Sequence, residues 1–165
     1  MYNLNEKVLI WLDCFEFMSL KKKMDLIDHY QDLSNLWNKF EKDKTFIMSI
    51  VGEENYNKML FSWDENFINN YIRNIENIGV KMVTYVSDSY PKLLKETLSP
   101  PTVLYCKGDI RLLKTICVAI VGTRRISKYG KEITYKFSFD IAVVEIKEKN
   151  SDKKKVITVI IHAHL

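Results

Sequence analysis

The sequence predicts a chain of mixed α+β and α/β class, with a small helical bundle over residues 1–79 and the opening of a parallel sheet over 80–165. Three observations predict it. Up to Ile75 the apolar residues recur at helical spacing, beyond Gly79 they come in short β-branched runs, and the charge changes sign between the two parts. Residues 1–79 carry 9 Lys/Arg against 13 Asp/Glu, a net of −4, whereas residues 80–165 carry 16 against 8, a net of +8. The excess of cations in the second part suits an anionic partner.

The helical part shows five stripes. Val8, Trp11, Leu12 and Phe15 stand at i, i+3, i+4 and i+7. Ser19 is placed to cap a second helix with Leu20, Met24 and Ile27 on one face. Leu33, Leu36, Trp37 and Phe40 repeat the first spacing, as do Tyr56, Met59, Leu60 and Trp63. Phe67, Ile68, Tyr71, Ile72 and Ile75 make the fifth, with Asp64 as N-cap and Gly79 just past the end. These stripes read as core rather than as a ligand box. Lys21-Lys22-Lys23 reads as a solvated helix face, with a contact to a DNA backbone as the alternative.

In the second part, Val80–Val86 is rich in β-branched and aromatic residues and reads as a strand. Pro91 suits the first position of a short helix over Lys92–Glu96, and Pro100-Pro101 makes a rigid extended break. Val103–Tyr105 is a short strand ended by Gly108-Asp109. Ile116–Val121 is an unbroken apolar run, the pattern of a strand covered on both faces of a parallel sheet. A loop follows, then a helix with Tyr129, Ile133, Phe137 and Ile141 at intervals of four. A buried strand, a glycine-bearing loop and an amphipathic helix open a Rossmann-like unit. Residues 146–165 are atypical. Lys147–Lys155 reads as a solvated loop or hairpin tip, and Val156–Ile161 as a last strand that, with one of the earlier strands, is available to pair with Ile116–Val121.

Composition narrows the function classes. The 165 residues are 47% hydrophobic and 28% charged, which is globular and argues against disorder as a whole. The longest apolar runs, Val8–Leu12 and Ile116–Val121, fall far short of the ~20 residues that span a bilayer, so no membrane span is expected. Asp13 and Glu16 interrupt the first apolar stretch, and no secretory signal is read there. Cys14, Cys106 and Cys117 form no C-x-x-C pair, which excludes a disulfide scaffold or a zinc finger and fits a reducing cytosol. A cytoplasmic location is therefore expected. No metal or other cofactor is assigned, because His162 and His164 have no neighbouring Cys or carboxylate. His29 lies on a predicted helix without a nucleophile motif, so no catalytic residue is assigned.

The chemistry concentrates in Val121-Gly122-Thr123-Arg124-Arg125, where a parallel strand hands over to a helix. Ligands of open α/β sheets collect at such strand ends. Gly122 permits a tight turn and a close approach, and the N–H groups of the helix start attract phosphate. Thr123 and Ser127 add hydroxyls, and Arg124 adds a planar fork that matches phosphate oxygens. The loop is neither G-x-G-x-x-G nor a P-loop. A glycine turn with a surface arginine pair is the alternative reading.

The segment Tyr90-Pro91-Lys92-Leu93-Leu94, then Pro100–Asp109, then Val118-Ala119-Ile120-Val121-Gly122-Thr123-Arg124 with Ser127, Tyr129 and Gly130, closely resembles the DprA/Smf family of DNA-processing proteins. The order and spacing of the three blocks fit, and the resemblance covers roughly residues 5–142. It implies a helical SAM-like or helix-hairpin-helix-like domain ahead of a Rossmann-like domain. It further implies a dimer that binds single-stranded DNA, protects it during natural transformation and hands it to the RecA recombinase, with no covalent chemistry. The phosphate-pocket role carries to Gly122, Thr123 and Arg124, more weakly to Ser127, and only by proximity to Arg125. After Ala142 the family's Gly-rich strand and helix, and its dimerisation surface, have no counterpart, so a truncated or frame-disrupted product is expected. A Rossmann-like nucleotide or sugar-phosphate hydrolase is the alternative, but it needs an acidic base after a second Gly-rich loop. A non-functional remnant is the third reading.

Overall fold

The computed structural model describes residues 1–114, 116–120, 127–147 and 156–159. They divide into two compact units, Met1–Ile110 and Arg111–Leu165.

The first unit is built on helices α1 (Leu4–Asp13), α2 (Leu20–Tyr30), α3 (Leu33–Asn38), α4 (Lys44–Val51), α5 (Glu53–Phe61) and α6 (Glu65–Asn77). Asn3 starts α1 with a capping box: its Oδ1 accepts from Glu6 N at 3.0 Å, and Glu6 Oε2 accepts from Asn3 N at 2.9 Å. Ser19 and Asp64 cap α2 and α6 as expected, accepting from Lys22 N and Asn66 N. Gly79, with φ of +76°, turns the chain out of α6. Helix α4 is the element the stripes did not anticipate.

The expected stripe on α1 is wider than a stripe. Val8, Leu9, Ile10, Trp11 and Leu12 are all fully buried, so α1 is the central helix of the bundle. Trp11 meets Trp37 and Phe40 edge-on at 5.3 Å, and Phe40 stacks on Tyr56 at 5.0 Å. The Trp11 indole N–H donates to Ser62 Oγ at 3.0 Å, which satisfies the one polar atom the ring carries into the core.

Strand β1 (Val80–Thr84) pairs antiparallel with β2 (Val103–Lys107), placing Met82 opposite Tyr105. Met82 and Val103 join the same core as the helices, and Met82 N donates to Tyr2 Oη at 3.0 Å. This corrects the expectation of one parallel sheet running from residue 80. Between β1 and β2 lies only the one-turn helix α7 (Lys92–Lys95), which buries no residue and so supplies no crossover helix over a sheet face. The packed units consequently divide later than the 79/80 boundary drawn from composition. Pro91 is the N-cap of α7 rather than its first residue.

A polar network ties β2 to the bundle. Asp13 forms a salt bridge to Lys23, and its Oδ2 accepts from the Tyr105 hydroxyl at 2.9 Å. Tyr105 Oη lies 3.2 Å from Tyr71 Oη. Burial, then the bond to Tyr71, then Asp13 push the Tyr105 hydroxyl pKa well above its ordinary value. Lys23 is therefore buried and paired, not part of a solvated face.

In the second unit, β3 (Ile116–Ala119) pairs in parallel with β4 (Val156–Val159), Ile116 opposite Val156, with helix α8 (Lys128–Lys147) between them in the chain. This is one β-α-β unit, and its strand pairing is the one the two apolar runs suggest. A larger doubly wound sheet is not present among the described residues, where the two sheets have two strands each. Of the stripe expected on α8, Tyr129 and Phe137 are largely exposed and Ile133 is half-buried, while the side chain of Ile141 lies outside the described residues.

Candidate nucleic-acid interface

The loop of interest joins β3 to α8. The C-terminal end of a parallel strand that hands over to a helix is the position where open α/β sheets take ligands, and β3 and α8 are such a pair. Gly122, Thr123, Arg124 and Arg125 lie outside the described residues, so the site is described from its flanks.

Ser127 is described. Its Oγ accepts from Gly130 N at 3.0 Å and its carbonyl accepts from Lys131 N at 3.0 Å, so it starts α8. Capping uses a lone pair of the hydroxyl and leaves its proton to donate. The first turn of α8 holds no acidic residue, and Lys128 and Lys131 are exposed there. Cations at a helix N-terminus oppose its dipole, and an anion bound between them relieves both. These two lysines went unnoticed in the sequence, although their place in the first turn after Ser127 was a signal for them.

Elsewhere, Cys14 and Cys106 are poor nucleophiles. Burial raises the Cys14 thiol to about 11 and also raises the Cys106 thiol, so both are protonated near neutrality. Cys14 Sγ donates to Ile10 O at 3.3 Å. His29 stacks on Phe46 with ring centroids 3.8 Å apart. Among the described residues, no three His, Cys, Asp or Glu side chains gather to hold a metal, and no helix is long and apolar enough to cross a membrane. His162 and His164 lie outside the described residues.

A family model described as DNA recombination-mediator protein A matches residues 81–147. The match runs from β1 through the β3–α8 loop to the end of α8. Protein Smf of Borreliella burgdorferi is 27% identical over 135 residues, which cover 81% of this chain and 41% of that protein. DNA processing protein DprA of Bacillus subtilis is 43% identical over 56 residues, 33% of this chain and 19% of that protein. The chain thus spans less than half the length of these relatives. No solved structure gives a significant match. The family match across β3 and α8 and two relatives of the same kind make this chain similar to the DprA/Smf family over that region.

Proposed function

We propose that the chain binds single-stranded DNA without sequence preference, with the β3–α8 loop as a phosphate cradle. Gly122 provides the close approach, Thr123 and Ser127 donate hydroxyls, and Arg124 supplies the fork, with Arg125 beside it. In this reading the protein serves DNA processing and recombination in the cytoplasm, shielding incoming strands and passing them to the RecA recombinase. It needs no cofactor and makes or breaks no covalent bond. A second copy of the chain would extend the bound strand.

The observation that carries this reading is the family match across 81–147, which brackets the loop with the lysines of α8. The net +8 of residues 80–165 agrees with it. The test is fluorescence anisotropy of the full chain with a labelled oligo-dT over a salt series. Binding at low salt should weaken linearly in log–log form, by ~0.7 per phosphate neutralised. Absence of low-salt binding, or binding indifferent to salt, would overturn the reading.

A further inference from the structure

A groove of about 430 Å³ opens on the helical unit, away from the loop in the sequence. Leu20 and Met24 of α2, Tyr85 after β1, and Leu98 before β2 give it an apolar and aromatic lining. Lys21 and Lys95 line it too, and no carboxylate does.

That charge pattern runs against its surroundings, since residues 1–110 carry 13 Lys/Arg against 16 Asp/Glu, a net of −3. The three lysines at the start of α2 have separate fates. Lys23 is spent on Asp13, and Lys22 Nζ donates to Phe17 O at 3.4 Å. Lys21 turns to the groove, and among the described residues neither it nor Lys95 has a salt-bridge partner. Lys95 Nζ sits 4.5 Å from the centre of the Tyr85 ring. Leu98 is fully exposed at the rim.

We propose that this groove is a second contact for single-stranded nucleic acid, taking one or two nucleotides of a bound strand. This rests on the single-strand reading above and adds a place on the molecule to it. Phosphates match the two unpaired ammonium groups, and the apolar and aromatic lining offers a surface for a base, the pairing that non-specific single-strand sites use. A phosphate that draws Lys95 aside also uncovers the face of Tyr85 for stacking. An acidic peptide fits the geometry less well. Strand-like peptide docking draws on open main-chain groups, and two of those at the groove are taken: Tyr85 N donates to Thr102 O at 2.8 Å and Thr97 N to Leu94 O at 3.3 Å.

The test uses the full chain with a fluorescent dT12 and a second dT12 carrying 5-iodouracil for photo-crosslinking. The double variant Lys21→Ala/Lys95→Ala should bind about tenfold more weakly at low salt and show a salt slope shallower by ~1.4, two phosphates' worth. Lys21→Arg/Lys95→Arg should restore the slope, and circular dichroism should match wild type in both variants. The crosslink should map to the peptide containing Tyr85. If wild type binds while the double variant keeps its slope and no crosslink reaches Tyr85, the groove lies off the strand's path and the loop reading stands alone. If wild type does not bind dT12, both readings fall. If poly-glutamate of matched length competes equally and loses affinity in the same double variant, the assignment to nucleic acid is overturned.

Discussion

Helices α1 and α8 carry similar apolar patterns and meet different fates. The shorter, α1, buries five consecutive residues at the centre of six helices and a strand pair. The longer, α8, leaves Tyr129, Tyr135, Phe137 and Phe139 largely exposed. Apolar spacing marks which residues are able to be buried. Burial itself needs neighbouring surfaces, and α1 has them on every side. Stability should therefore respond to the bundle, and DNA binding to the β3–α8 region.

The largest expected effect contrasts the two helices directly. Trp11→Ala removes a fully buried ring with three aromatic neighbours and the donor to Ser62 Oγ, and should cost about 3–5 kcal/mol. Phe137→Ala should stay within about 0.5 kcal/mol. Urea denaturation of both variants checks this, and equal losses would mean that α8 is packed as firmly as α1.

Next comes the network that holds β2 to the bundle. Asp13→Ala leaves Lys23 buried without its partner and should cost about 2 kcal/mol. Adding Lys23→Met should recover part of that loss, because the stranded charge is gone. A double-mutant cycle with no coupling would show that the pair contributes nothing.

A smaller effect should appear in alkali. Burial, with Asp13 next, holds Cys14 at about 11 against an ordinary 9.0, and burial, with Tyr85 next, holds Tyr90 at about 12 against 10.0. The folded chain keeps these protons after the unfolded chain has lost them. Stability from both groups is thus complete below about pH 9 and falls as pH rises toward about 12. Urea midpoints taken across that range should decline, and Cys14→Ala should flatten the lower part of the decline. A level profile would mean that these groups are as solvated in the folded chain as in the unfolded one.

The bundle was legible because its signals are local. Ser19, Asp64 and Gly79 act at the helix ends where their side chains or backbone freedom predict. Helix α4 was missed, although Phe46, Ile47, Ile50 and Val51 hold a helical spacing, because β-branched residues beside Gly52 also suit a strand. Lys23 misled as one of three lysines, since only the fold brings Asp13 to it. The partners of β1 and β2 are likewise tertiary. An apolar run names a strand but not its neighbour: of the two neighbours expected for Ile116–Val121, β4 is paired with β3 and no earlier strand is, since β1 and β2 pair with each other. For the candidate site, the loop and Ser127 were visible as a motif, while Lys128 and Lys131 became visible only with the helix start in place.

The most direct test of the account compares Arg124→Ala with Arg125→Ala in the anisotropy salt series. In the cradle reading both arginines serve the ligand and not the core, so both variants should keep folding stability within about 0.5 kcal/mol. Arg124→Ala should weaken oligo-dT binding and flatten the slope by ~0.7, one phosphate, and Arg125→Ala should do less. Arg124→Lys should recover the binding in part, since it returns the charge without the planar fork. Equal losses at the two arginines would reduce the cradle to a diffuse basic patch, and a loss confined to Arg125 would contradict it.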